Sequence, residues 1–190
     1  MRSTQKTTQK LVQALQHGFD VIVRPVPEVG VDVVYVSTIA DLTRVEERLL
    51  GPILRAHTRP GRDLETWLQN TLQLGELTRA QSVDDAACAL LESHAVICTP
   101  RHYFVVNVQG PRRRTPEEPA AEIAIRGPRD GFTESIETNA SLIRTRLRDR
   151  QLVLETFIIG DRTRTKVLLA YIADGSVPSS GVISPFVSSL

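Results

Sequence analysis

The stretch RGPRDGFTESIETNASLIRTRLRDR, residues 126–150, carries the strongest structural signal in this 190-residue chain. After its Gly-Pro turn, apolar residues recur every three or four positions, at Phe132, Ile136, Ala140, Ile143 and Leu147. This spacing is typical of an amphipathic helix that buries one continuous face. We therefore predict a helix that follows Gly131 and extends to about Asp149, packed against a sheet.

The charged residues of this stretch follow the polarity of a helix. Glu134 and Glu137 lie in the predicted first turns, whereas Arg144, Arg146 and Arg148 crowd its last turns. Acidic side chains near the start of a helix and basic ones near its end complement the helix dipole. We expect these charges to stabilise the helix.

Two arginines precede the predicted helix, at Arg126 and Arg129. Together with the free amides of the first turn, they could bind an anion. The alternative is a structural turn in which local carboxylates such as Glu134 pair with these arginines. The structural interpretation is favoured because phosphate sites usually have a glycine-rich loop and no carboxylates at their mouth.

Strand and helix patterns alternate on the N-terminal side of the stretch. Two β-branched runs, residues 20–26 and 31–37, predict paired strands joined by a short turn. A helix is predicted over 40–56, with a kink at Gly51-Pro52. Its apolar positions are Leu42, Val45, Leu49, Ile53 and Leu54.

Further elements follow in the same alternation. A helix over 63–72 is predicted to bury Leu64, Trp67, Leu68 and Leu72, and a short strand follows at 75–81. A helix over 82–94 has Ser82 as its cap and Asp85 as the capping acid. Residues 95–99 and 103–109 predict a β-hairpin.

The pattern predicts an α/β fold made of two small subdomains, each a mixed sheet covered by helices. The Pro- and Arg-rich segment 110–122 lacks an apolar period and is predicted to be the linker. The second unit contains strands at 122–126, 152–159 and 166–173 around the long helix. The predicted boundaries are a polar N-terminal segment (1–18), a first subdomain (19–109), the linker (110–122), a smaller second subdomain (123–175) and a disordered tail (176–190).

Composition excludes several functional classes. The net charge of +1 and the 5% aromatic content argue against a nucleic-acid binder. No uninterrupted apolar run approaches the roughly 18 residues that a membrane span needs, and the polar start lacks an export signal. We therefore expect this chain to be soluble when alone.

Candidate chemical sites are weak. The spacing of Cys88, His94, Cys98 and His102 superficially suggests a metal site. However, Cys88 falls in an apolar helix and Cys98 in a strand, where small buried thiols are common. No sequence typical of a serine hydrolase, a zinc protease or a phosphate-binding loop is present. We predict no catalytic residues, no metal site and no cofactor.

The segments EIAIRGPRDGFTESIETNASLIRTRLRD (122–149) and GDRTRTKVLLAYIADG (160–175) resemble a known family. They are similar to the signature region of the A subunit of GerA-type nutrient germinant receptors, which act in spore germination. The resemblance is close over residues 116–174 and looser over 19–110. After Gly175, SVPSSGVISPFVSSL replaces the helix that leads to the family's membrane domain. This departure indicates either a truncated chain or an end that comes from a frameshift.

The resemblance implies a two-subdomain N-terminal region that precedes a multi-helix membrane domain. It implies a place in the inner spore membrane, with this region facing the spore core, beside B and C subunits and other A subunits. It also implies nutrient sensing without catalysis. We therefore predict a non-enzymatic receptor module that acts through assembly and signal coupling. The alternative is a binding module that holds a small nutrient between the two units near Arg126 and Arg129.

Overall fold

Five antiparallel strands form the main sheet of the computed structural model, which describes residues 2–56, 63–72, 77–109 and 131–173. The strands lie in the order β1-β2-β4-β5-β3. Their bounds are Val21–Val26 (β1), Val31–Val36 (β2), Leu77–Ala80 (β3), Ala95–Cys98 (β4) and Tyr103–Val106 (β5). The predicted α/β class is confirmed, but this sheet is not mixed. Two hairpins, β1–β2 and β4–β5, supply four of its strands, and the strands of a hairpin are necessarily antiparallel.

Helices cover both faces of this sheet. One layer consists of α2 (Leu42–Arg44), a π-helical turn (Val45–Leu50), α3 (Gly51–Arg55) and α4 (Leu64–Leu72). The other consists of α1 (Arg2–Ala14) and α5 (Val83–Leu91). The strands alternate between the two layers: Val33 packs with the first, whereas Val34 packs with the second. This alternation follows from the two-residue period of a strand and yields two apolar cores.

The polar N-terminal segment forms α1, which belongs to the second of these layers. Leu11 and Leu15 are fully buried against α5 and the sheet. Thr8 is also buried, and its hydroxyl donates to an Asp32 carboxylate oxygen 2.6 Å away. Because its threonines find partners of this kind, a sequence with few apolar residues can pack against the sheet.

The helix is interrupted near Gly51-Pro52, as predicted. The interruption is the π-helical turn Val45–Leu50, directly before Gly51. The Gly51 N–H reaches back to the Glu46 carbonyl, and the next residue, Pro52, has no N–H to donate. Of its apolar positions, Val45, Leu49 and Ile53 are buried. Leu42 and Leu54 are exposed, although they belong to the same apolar spacing.

The helix α5 begins with the predicted capping box. Ser82 accepts from the Asp85 N–H at 3.0 Å, and Asp85 accepts from the Ser82 N–H at 3.1 Å. The predicted burial of Cys88 is wrong, because this thiol is exposed. The helix turns Ala86, Ala87, Leu90 and Leu91 toward the sheet, and Cys88 lies on its other side.

A second unit consists of α6 (Ile136–Arg146) and a hairpin of β6 (Leu152–Ile159) and β7 (Thr165–Ile172). Leu154 pairs with Ala170 in this hairpin. A small core unites Ala140, Leu152 and Leu154 with Ile143 and Leu168. We call this part the second unit and residues 2–109 the first unit.

The apolar stripe predicted on this helix is buried only in its middle. Ala140 is buried and Ile143 is half-buried, but Phe132 is 59% exposed and Leu147 is 50% exposed. The helix ends at Arg146, before the predicted Asp149. The strand expected at 122–126, the linker and the tail lie outside the described residues.

Candidate functional site at the junction of the two units

A buried ion pair joins α6 to the segment that precedes β1. The Arg144 Nε donates to one Asp20 carboxylate oxygen at 2.9 Å, and its Nη2 donates to the other at 3.0 Å. Both side chains have 0% solvent exposure. This two-pronged geometry fixes the direction of approach as well as the distance, because the guanidinium fork is rigid.

Further polar contacts complete the pair. The Arg144 Nη1 donates to the Leu152 carbonyl at 2.9 Å, and the Thr38 hydroxyl donates to Asp20 at 2.8 Å. Within the described residues, no buried side-chain nitrogen or oxygen lacks a hydrogen-bond partner. The buried charges are therefore both paired and hydrogen-bonded, as burial requires.

The backbone beside Asp20 also contacts both units. The Phe19 N–H donates to the Leu154 carbonyl of β6 at 2.9 Å, and the Phe19 side chain packs against the small core of the second unit. On the other side, the Asp20 carbonyl accepts from the Ser37 N–H at 2.8 Å. Residues 19 and 20 therefore bridge the two sheets.

Gly18 is required by the same geometry. A Cβ at this position would lie 2.8 Å from the Arg144 Nη2 and 2.8 Å from an Asp20 carboxylate oxygen. The pair therefore passes directly over the glycine backbone, and a methyl group would force it to move.

A second ion pair between the units lies at the surface. Arg150 binds Asp84 of α5, and the two side chains are 39% and 64% exposed. Exposed pairs of this kind contribute little because water screens them. The buried pair is therefore the specific polar contact of the junction.

The start of α6 satisfies its own backbone groups. The Ser135 hydroxyl accepts from the Thr138 N–H at 3.2 Å, and the Asn139 side chain bonds both the N–H and the carbonyl of Thr133. Glu137 pairs with Lys166 at 2.9 Å, and hydrogen bonding by this lysine lowers the pKa of the carboxyl. Arg126 and Arg129 lie outside the described residues, so their pairing remains a prediction.

The suggested cysteine and histidine set does not form a cluster. Cys88 is exposed on α5, whereas Cys98 is buried in β4, and burial raises the pKa of its thiol to about 12. The His94 ring lies 3.2 Å from the Ala89 carbonyl, and His102 packs edge-on against Phe104. The described part of the chain holds no group of three or more His, Cys, Asp or Glu residues that could bind a metal ion.

An open pocket of about 390 Å³ lies on the first unit, away from the junction. Asp63 and Glu65 line it from the start of α4, and Arg101 and His102 line it from the β4–β5 turn. The Thr66 hydroxyl and N–H bind Asp63 and lower its pKa. This carboxylate thereby acts as the cap of α4.

The sequence matches the family described as Bacillus/Clostridium GerA spore germination protein over residues 9–180. This chain belongs to the GerA family. The resemblance stated from the sequence is thereby confirmed, and most of both units falls within the match.

Two relatives of this GerA-family chain come from Bacillus subtilis (strain 168). It is 37% identical to the uncharacterized membrane protein YfkQ over 74% of its own length and 28% of YfkQ. It is 31% identical to spore germination protein KA over 80% of its own length and 30% of that protein. The chain therefore spans less than a third of either relative. Among the described residues, no helix is both long and apolar enough to cross a membrane.

A solved structure shares the fold. It is the crystal structure of the N-terminal domain of the A subunit of the Bacillus megaterium spore germinant receptor GerK3. The TM-score is 0.65 at 21% identity, over 87% of this chain and 62% of that one. The fold of this GerA-family chain is therefore similar to the fold of that N-terminal domain.

Sequence reasoning missed the central contact of this GerA-family domain. It assigned Arg144 to the basic end of the helix, yet Arg144 lies four residues after the buried Ala140. That position on the apolar stripe was the available signal, because residues four apart share one face of a helix. Its partner Asp20 is 124 positions away, and no local pattern connects the two.

Proposed function

We propose that this chain is the non-enzymatic N-terminal module of a spore germinant receptor A subunit. In this proposal it contributes to nutrient-triggered germination through assembly and signal coupling. Membership of a spore germination family and the fold of a germinant-receptor N-terminal domain support the proposal. The main observation behind the signal-coupling part of the proposal is the buried ion pair between Asp20 and Arg144.

The junction supports coupling because it favours one orientation of the two units. A purely apolar contact tolerates sliding, whereas a forked ion pair is satisfied only over a narrow range of positions. A conformational change that reaches one unit would therefore be passed to the other. Nothing in such a role requires a catalytic group.

Assembly is supported by exposed apolar side chains at the tip of the β6–β7 hairpin. Phe157, Ile158 and Ile159 are 45%, 63% and 57% exposed. Phe157 and Ile159 share one face of β6, because side chains two positions apart in a strand point the same way. Exposed apolar side chains grouped on one face commonly mark an interaction surface. The proposed partners are the B and C subunits and other A subunits. The proposed location is the inner spore membrane, with this region facing the spore core.

The role in germination is tested in spores of the source organism. We expect deletion of the gene to slow germination with at least one nutrient in a panel of amino acids and sugars, and re-introduction of the gene to restore it. Germination at the parental rate with every nutrient would contradict the proposed role. A rise in the melting temperature of the purified chain with one of these nutrients would favour the ligand-binding alternative.

Assembly is tested by co-purification from spore membranes. A tagged subunit is expected to recover the B and C subunits, and Phe157→Ser with Ile159→Ser to reduce that recovery. Leu54→Ser is the matched control, because Leu54 is 62% exposed on the first unit. Equal recovery from all three proteins would exclude the hairpin tip as the assembly surface.

A further inference from the structure

Apart from the exposed Arg150–Asp84 pair, the polar contacts described above between the units lie on a short connector, residues 15–20, between α1 and β1. The connector contains two consecutive non-glycine residues with positive φ, Gln16 at 55° and His17 at 53°. They form the C-terminal cap of α1, in which the Gln16 N–H donates to the Gln13 carbonyl and the His17 N–H to the Val12 carbonyl. Gly18, Phe19 and Asp20, which complete the connector, contact Arg144 or β6.

A buried ion pair is a poor source of net stability. Removing two charges from water costs several kcal/mol each, and apolar residues of the same volume often stabilise a fold equally well. What the pair supplies is a preference for one arrangement of the two units, because any arrangement that separates the partners leaves two buried charges unsatisfied. The junction therefore resists intermediate positions and favours two states, paired or open to water.

We propose that Asp20 and Arg144 form a conformational latch that holds the second unit in one orientation on the connector. In the closed state, the arginine fork spans Gly18 and binds Asp20 and the Leu152 carbonyl, as the structure has them. In the open state, α6 and β6–β7 move together away from residues 15–20, and water solvates both charges. This inference rests on the proposed role in signal coupling and names its switching element.

The closed and open states are distinguished by a distance measurement between spin labels in the purified chain. Labels are attached through Leu54→Cys in the first unit and Thr145→Cys on α6, both in a Cys88→Ser background. Cys98 remains unlabelled because it is buried. We expect a single narrow distance peak for this background.

Two variants open the latch by different means. Gly18→Ala places a methyl group 2.8 Å from both partners, and Arg144→Lys keeps the charge but loses the fork. We expect each to broaden the distance peak or to add a second one. Gly131→Ala is the control, because a Cβ there would have no heavy atom within 4 Å, and its peak should match the background.

Hydrogen exchange in β4–β5 and in β6–β7 is measured in every variant, and retained protection in β4–β5 shows that the first unit is folded. A single unchanged peak in Gly18→Ala and Arg144→Lys would overturn the latch. Equal loss of protection in both units would also overturn it, because the pair would then support the whole fold. Normal germination after gene deletion would instead contradict the proposed function and leave the distance result standing.

Discussion

Arg144 occupies a site from which solvent is excluded, and three of its N–H groups have protein acceptors. Replacing it by methionine would leave the Asp20 carboxylate buried without its counter-charge. We expect Arg144→Met to lower the free energy of opening of β6–β7 by about 3–5 kcal/mol, measured by native-state hydrogen exchange. Arg150→Met, at the exposed pair, should change it by less than about 1 kcal/mol.

The double variant Asp20→Leu with Arg144→Met separates lost charge from lost packing. Because both charges are removed, most of the opening free energy should return. If the double variant opens as easily as the single one, the junction depends on shape and not on charge.

The two thiols should differ sharply in reactivity. The thiolate is the reactive form, and burial both raises the pKa of Cys98 to about 12 and blocks access to it. We expect a chromogenic disulfide reagent at neutral pH to modify one thiol per folded chain rapidly and both in denaturant. Cys88→Ser should abolish the rapid reaction, and a persistent fast phase would show that β4 is accessible.

At the level of elements, the small core of the second unit grades from buried to exposed. Leu154 is fully buried in β6, Ile143 is half-buried on α6, and Leu147 is 50% exposed beyond the helix. We expect Leu154→Ala to lower the opening free energy by about 2–5 kcal/mol and Ile143→Ala by about 1–2 kcal/mol. Leu147→Ala should cost less than about 0.5 kcal/mol. Equal costs would mean that another segment covers Leu147.

The Glu137–Lys166 pair ties the first turn of α6 to β7 and gives this contact a pH dependence. Because the folded-state pKa of Glu137 is lowered, its contribution is present above the ordinary carboxyl range and is lost as pH falls through the lowered pKa. The difference in opening free energy between the unmodified chain and Glu137→Gln should therefore shrink on acidification. Glu134→Gln is the exposed control, and a difference that does not vary with pH would contradict the assignment.

The sequence predicted the helices and strands better than it predicted which of them pack together. Paired β-branched runs located β1 and β2, and Ser82 with Asp85 located the start of α5, because these signals lie within a few residues of each other. The mixed pairing expected for the sheets was not found in the main one, since strand order depends on how distant segments pack. Cys88 was misplaced for a related reason: which side of α5 faces the sheet is decided by Ala86, Ala87, Leu90 and Leu91 together.

At the scale of the whole molecule, the family resemblance located the two-unit architecture but not the contact that joins the units. That contact joins a buried charge on α6 to another before β1. In the sequence alone, Arg144 is explained as a basic residue at the end of a helix and Asp20 as the first residue of a predicted strand, so neither residue predicts a buried ion pair. The predicted boundaries at 110–122 and 176–190 fall outside the described residues and remain predictions. A unit as small as the second one would be marginal by itself, which makes its attachment to the first unit energetically important.

The most direct test is the urea dependence of hydrogen–deuterium exchange, followed separately in β4–β5 and in β6–β7. In the unmodified chain, we expect both hairpins to lose protection at one common midpoint, because in the proposed coupling the buried Asp20–Arg144 pair holds the two units together. In Arg144→Lys, β6–β7 should lose protection at lower urea, while β4–β5 keeps its midpoint. Separate midpoints in the unmodified chain, or one unchanged common midpoint in Arg144→Lys, would contradict the account.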